Sequence, residues 1–119
     1  MAKTSGLRID MDQLFSGAGV QRLLSTPVPE REWWCLRAIA WEINKATSGG
    51  NTRARLYVDR GAGQRHYLDE QLTPTADWLY TRSEDDWLWP GERLGLEVDQ
   101  GQASTIVKLY AGGYSEREE

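Results

Sequence analysis

The feature that most restricts this chain is apolar–polar alternation at period two, broken again and again by turn chemistry. Ala54, Leu56 and Val58 alternate with Arg53, Arg55, Tyr57 and Asp59. Leu94, Leu96 and Val98 alternate with Arg93, Gly95 and Glu97, and Thr105, Val107 and Leu109 with Ile106, Lys108 and Tyr110. Successive strand side chains point to opposite faces, so each run reads as a half-buried strand. Gly61-Ala62-Gly63, Pro90-Gly91 and Gln100-Gly101-Gln102 supply the turns. Residues 20–28, 64–68 and 77–81 add shorter strands, the first ending at Pro27-Val28-Pro29. About seven or eight strands with such spacing predict an all-β fold, an antiparallel two-sheet sandwich of jelly-roll or immunoglobulin-like type.

Residues 33–44 fit two patterns. As a strand, Cys35, Arg37, Ile39, Trp41 and Ile43 share one face, and Trp34, Leu36, Ala38, Ala40 and Glu42 the other. As a helix, Leu36, Ile39, Ala40 and Ile43 fall on one side, with Gly49-Gly50 as the stop. The Trp and Ile content favours the strand.

The first 19 residues look different. Leu7, Ile9 and Met11 alternate with Arg8, Asp10 and Asp12 as an edge strand does, but no partner run lies nearby, and Gly17-Ala18-Gly19 breaks the chain. The expectation is an N-terminal arm over residues 1–19 that packs on another chain. A β domain over residues 20–114 follows, ended by Gly112-Gly113, and then a charged tail over residues 115–119.

Composition excludes several functions. The chain has 119 residues, room for one domain. No apolar run approaches membrane-spanning length, and no apolar stretch follows Met1-Ala2-Lys3-Thr4-Ser5, so neither a span nor a signal peptide is expected. The net charge of −4 argues against coating nucleic acid. One Cys (Cys35) and one His (His66) rule out an internal disulfide and the usual zinc sites. Asp10/Asp12, Asp69/Glu70 and Asp85/Asp86 read as solvated loop or edge carboxylates, and no calcium-loop spacing surrounds residues 83–86. Gly61-Ala62-Gly63 lacks a third glycine at His66 and reads as a hairpin turn. The expectation is a non-enzyme with no cofactor and no metal.

Aromatics are the positive signal. Six Trp exceed what one core of this size needs. Trp78, Tyr80, Trp87 and Trp89 fall within twelve residues around the Ser83-Glu84-Asp85-Asp86 loop. Three roles are open to them: core, protein interface or sugar platform. Leu7, Ile9, Met11, Leu14 and Phe15 of the arm join them as candidate interface residues.

Three stretches carry a resemblance. They are Thr52-Arg53-Ala54-Arg55-Leu56-Tyr57-Val58, then Trp87-Leu88-Trp89-Pro90-Gly91-Glu92-Arg93-Leu94-Gly95-Leu96-Glu97-Val98, and Ala103-Ser104-Thr105-Ile106-Val107-Lys108-Leu109-Tyr110. Over residues 33–114 the order of strand, hairpin, aromatic segment and Pro-Gly turn resembles small β proteins of tailed-bacteriophage particles. The resemblance implies a virion structural subunit. Capsid decoration (cement) is the leading role, with neck, tail or fibre attachment as alternatives. It also implies many copies, other virion proteins as partners (the major capsid protein first), and no catalytic residues. A carbohydrate-binding module using the exposed Trp, with a glycan as partner, is the competing expectation.

Overall fold

Among the described residues, nine antiparallel strands make the fold: β1 (Ala2–Phe15), β2 (Val20–Leu24), β3 (Glu32–Ile43), β4 (Arg53–Gly61), β5 (Gln64–Leu72), β6 (Tyr80–Arg82), β7 (Asp86–Leu88), β8 (Arg93–Asp99) and β9 (Thr105–Glu118). The computed structural model describes residues 2–16, 19–45 and 52–118, and no helix occurs among them. One sheet runs β1-β9-β3, with β6 and β7 both on the far side of β3; the other runs β2-β8-β4-β5.

The pairing is nested. β1 pairs with β9, β2 with β8, β3 with β6 and β7, and β4 with β5. The chain therefore behaves as one long antiparallel ribbon folded at the β4–β5 hairpin. Rolling that ribbon adds the β3–β9 and β4–β8 ladders and produces two stacked sheets. This is the jelly-roll member of the expected pair of architectures.

The core lies between the sheets. Leu94, Leu96, Val98, Val107 and Leu109 are all buried in it, as their alternation predicts. Trp34, Leu36, Ile39, Trp41 and Ile43 face them from β3. Residues 33–44 are thus a strand up to Ile43, but not a regular one. A bulge between Leu36 and Ala38 shifts the register against β9. An extra residue swaps the faces of everything after it, so the core side changes from even to odd positions. Two of the expected faces are therefore spliced: Trp34 and Leu36 join Ile39, Trp41 and Ile43.

Two expectations are overturned. Within the expected arm over residues 1–19, Ala2–Phe15 is β1, paired residue by residue with β9 from Ala2↔Glu118 to Phe15↔Thr105. Ile9 and Phe15 are buried in the chain's own core, and Leu7 and Met11 pack against it half-buried. The partner run was there all along, but it lies about a hundred residues away in sequence, at the other end of the nest. Likewise the 20–114 boundary and the 115–119 tail dissolve, because β9 continues to Glu118. Gly112-Gly113 does not end the fold. These residues lie mid-strand opposite the β3 bulge, where a Cβ on Gly113 would collide with the Cys35 carbonyl. Gly17-Ala18 and Gly49-Gly50 lie outside the described residues.

The outer face of the four-stranded sheet is closed by its own side chains. Arg22, Glu97, Arg55 and Glu70 stand in one row across β2, β8, β4 and β5. Their successive contacts are 3.2, 3.6 and 3.0 Å. Beside that row, Tyr57 lies flat over Gly95, where a Cβ would strike its ring, and is fully buried. Its hydroxyl has no hydrogen-bond partner. Burial pushes the Tyr57 pKa from 10 up to about 12.

Three outcomes follow from this packing. Leu96→Ala should cost about 2–5 kcal/mol in chemical denaturation, the range for a fully buried Leu. Deleting residues 1–15 should lower the melting temperature by more than about 10 °C or abolish the cooperative transition, because a whole ladder and two core side chains go with it; an unchanged melting temperature would restore the arm. The third is alkaline. Tyr57 holds its proton more tightly when folded, so its contribution is intact below pH 10 and is lost as pH rises through 12. Tyr57→Phe removes only an unpaired hydroxyl. It should match or exceed the native stability at pH 7, and it should flatten the decline between pH 10 and 12 in melting curves.

Candidate interaction face

The β3 bulge also decides what the outer face of the larger sheet carries. Before it, Trp33 and Cys35 point outward. The ladders set Cys35 between Tyr114 of β9 and Trp87 of β7, and set Trp33 beside Glu116. Cys35 is small and fully buried, so the rings on either side close over it. Trp87 and Tyr114 meet edge to face at 5.9 Å between centroids. Arg37, the bulge residue, lays its guanidinium 4.9 Å from the Tyr114 ring and reaches Asp85 at 3.8 Å. Burial pushes the Tyr114 hydroxyl above its ordinary pKa, and the neighbouring Cys35 thiol adds to the rise.

Trp89 completes the cluster from the turn after β7. It meets Trp33 edge to face at 6.2 Å. Its backbone is held hard. Trp89 N donates to Glu92 Oε1 at 2.7 Å, and Glu92 N donates back to the Trp89 carbonyl at 3.0 Å. Arg60 Nη1 donates to the other Glu92 oxygen at 2.7 Å, which lets that carboxylate stay buried. Gly91 takes the turn's positive φ of 84° and donates its N–H to the Val28 carbonyl at 2.8 Å. A 53% exposed indole is thus displayed on a pinned turn. Trp33, Trp87, Trp89 and Glu116 together line an open, largely apolar groove of about 460 Å³. Trp33 Nε1 is covered yet has no protein acceptor.

The expected aromatic quartet therefore splits. Trp87, 40% exposed, and Trp89 belong to this face. Tyr80 does not: it stacks on buried Trp41 at 4.4 Å and 19°, and its hydroxyl accepts from Thr75 N at 2.9 Å. Trp78 is exposed, but it precedes β6, whose residue Tyr80 pairs with Trp41, six positions along β3 from Cys35. Trp33, Tyr114, Arg37 and Glu116 were missing from the sequence candidates. The alternation Trp33-x-Cys35 hinted at an outward Trp. Nothing local linked it to residues 87–89 or 114–116, because only the ladders do.

Among the arm candidates, Leu7, Ile9, Met11 and Phe15 serve the chain's own core, and only Leu14 is freely exposed. It stands opposite exposed Ile106 at the far end of the sheet. Of the carboxylate pairs expected to be solvated, Asp86 is instead buried, and Glu70 pairs with Arg55. Arg82 grips Asp86 through two bonds of 2.8 and 3.0 Å and also holds Glu84. His66 is exposed on β5. Among the described residues, no group of three or more His, Cys, Asp or Glu could hold a metal ion. Among the described residues, no helix is long and apolar enough to cross a membrane. No family model, no curated protein and no solved structure matches this chain.

Proposed function

We propose that this chain is a non-enzymatic structural subunit of a tailed-phage virion, a capsid decoration protein that grips its neighbour through the Trp33–Trp87–Trp89 face. One observation carries the docking part: three Trp lie together on a single face, two of them exposed, on rigid elements. Hot spots at protein interfaces are enriched in Trp, Tyr and Arg. All three types meet here, with Tyr114 and Arg37 beside the indoles. Anchors already held in place lose little freedom on binding, and that favours affinity. The outer face of the other sheet supports the same choice by contrast, since its charges are paired with one another. The virion setting rests on the resemblance over residues 33–114. A neck or tail position would use the same face.

The groove's chemistry favours a second reading, a glycan platform. Indole faces suit the C–H side of a sugar ring, Glu116 offers a carboxylate, and Trp33 Nε1 offers a donor without a protein acceptor.

Mass spectrometry of purified particles should find the chain as a virion component. Trp89→Ala should weaken its retention on the particle by about 30-fold or more, the equivalent of a 2 kcal/mol anchor. The melting temperature should stay near that of the native chain, because the Trp89 ring is exposed. Retention equal to the native protein would end the docking assignment. Glycan-array binding by the isolated chain, lost in Trp89→Ala, would select the sugar platform instead.

A further inference from the structure

Four strand edges end the two sheets, and they are not alike. β6 and β7 are three residues each, and β2 is five. β5 is longer, but its ladder with β4 is interrupted twice by register shifts. Short edges and bulges are the usual protection against edge-to-edge pairing. β1 has neither. It runs 14 residues in unbroken register with β9, contains no proline, and has no strand on its other side among the described residues. What protects it is charge: Lys3, Arg8, Asp10 and Asp12 lie along it.

That charge pattern selects one partner. We propose that β1 pairs antiparallel with β1 of a second copy, in the register centred on Ile9, making a two-fold dimer of edge-joined sheets. A two-fold axis through the sheet keeps both cores on one side, so residues that face each other must share a face. This leaves few registers. Centring on Arg8 sets Arg8 against Arg8. Centring on Asp10 sets Asp10 against Asp10, and centring on Met11 sets Asp10 against Asp12. Centring on Leu7 makes no charge pair. Only centring on Ile9 puts Arg8 opposite Asp10 of the second copy, twice by symmetry, with no like charges facing. The same register sets Leu7 opposite Met11 on the core side. Those two side chains are the ones left half-buried at the edge. Arg8 and Asp10 are free to swing to a new partner, since their own contact is 3.8 Å long with side chains 85% and 57% exposed.

The dimer is independent of the docking reading. β1 and β7 are at opposite edges of the sheet. Two joined copies would present both aromatic faces on the same side, available to one extended surface.

Sedimentation of the full chain over rising concentration tests this. The native chain should reach a dimer and stop there. Arg8→Glu and Asp10→Arg should each raise the concentration needed by about tenfold or more, because each leaves like charges facing. Both changes together should restore the native behaviour, because the swap re-forms the pairs. Trp89→Ala should dimerise as the native chain does. A monomer at every concentration, a dimer indifferent to the single changes, a double variant that stays weak, or a dimer lost in Trp89→Ala would each overturn the proposal. The exposed positions of Arg8 and Asp10 keep folding out of the result, which unchanged melting temperatures would verify.

Discussion

The β9 ladder is the interaction on which the rest of the structure depends. β9 is bonded along its whole length to β1 on one side and over most of it to β3 on the other. Without it, β1 has no ladder partner, and β3 keeps only the short strands β6 and β7. Ile9, Phe15, Val107 and Leu109 would all lose their place in the core. The first strand thus waits for the last. Nested pairing of this kind makes nearly every contact non-local, the class of topology in which chain-closure entropy must be met before packing repays it.

The β3 bulge is the second constraint, and it links core to surface. By adding one residue at Arg37, it keeps Trp34 and Leu36 inside while turning Trp33 and Cys35 out. Without the shift, either Ile39, Trp41 and Ile43 or Trp34 and Leu36 would face solvent. Gly113 opposite the bulge has the same origin, since the displaced Cys35 carbonyl leaves no room for a Cβ. The device that rescues the core therefore also assembles the aromatic face, with Tyr114 and Trp87 flanking a buried thiol.

The two outer faces use similar residues to opposite ends. On the four-stranded sheet, Arg and Tyr are spent internally: Arg55 bridges Glu97 and Glu70 and lies 4.9 Å over Tyr67. On the larger sheet, Arg37 and Tyr114 leave the indoles beside them uncovered. Of the two outer faces, the larger sheet's leaves indole area at the surface, while the smaller sheet's pairs its charges with one another.

The strands and the core were legible in the sequence because period-two alternation is a local property. Leu94, Leu96 and Val98 report their own burial whatever they pair with. An excess of Trp was legible too, but which of them reach the surface was not, since core, interface and sugar platform all stay open for Trp87 and Trp89 until the strands are placed. Pairing was not. Nothing between Leu7 and Met11 states that the complementary run is Leu109 to Gly113, since antiparallel ladders are written in two places separated by any length of chain. For the same reason Trp33, Trp87, Trp89 and Tyr114 could not be gathered from sequence, and Tyr80 could not be removed from the group. Local alternation determined that this chain would be a β sandwich with aromatic residues to spare. Register and one bulge, which exist only once distant strands meet, decided which aromatics share a face and that the N-terminal segment is a core strand rather than an arm.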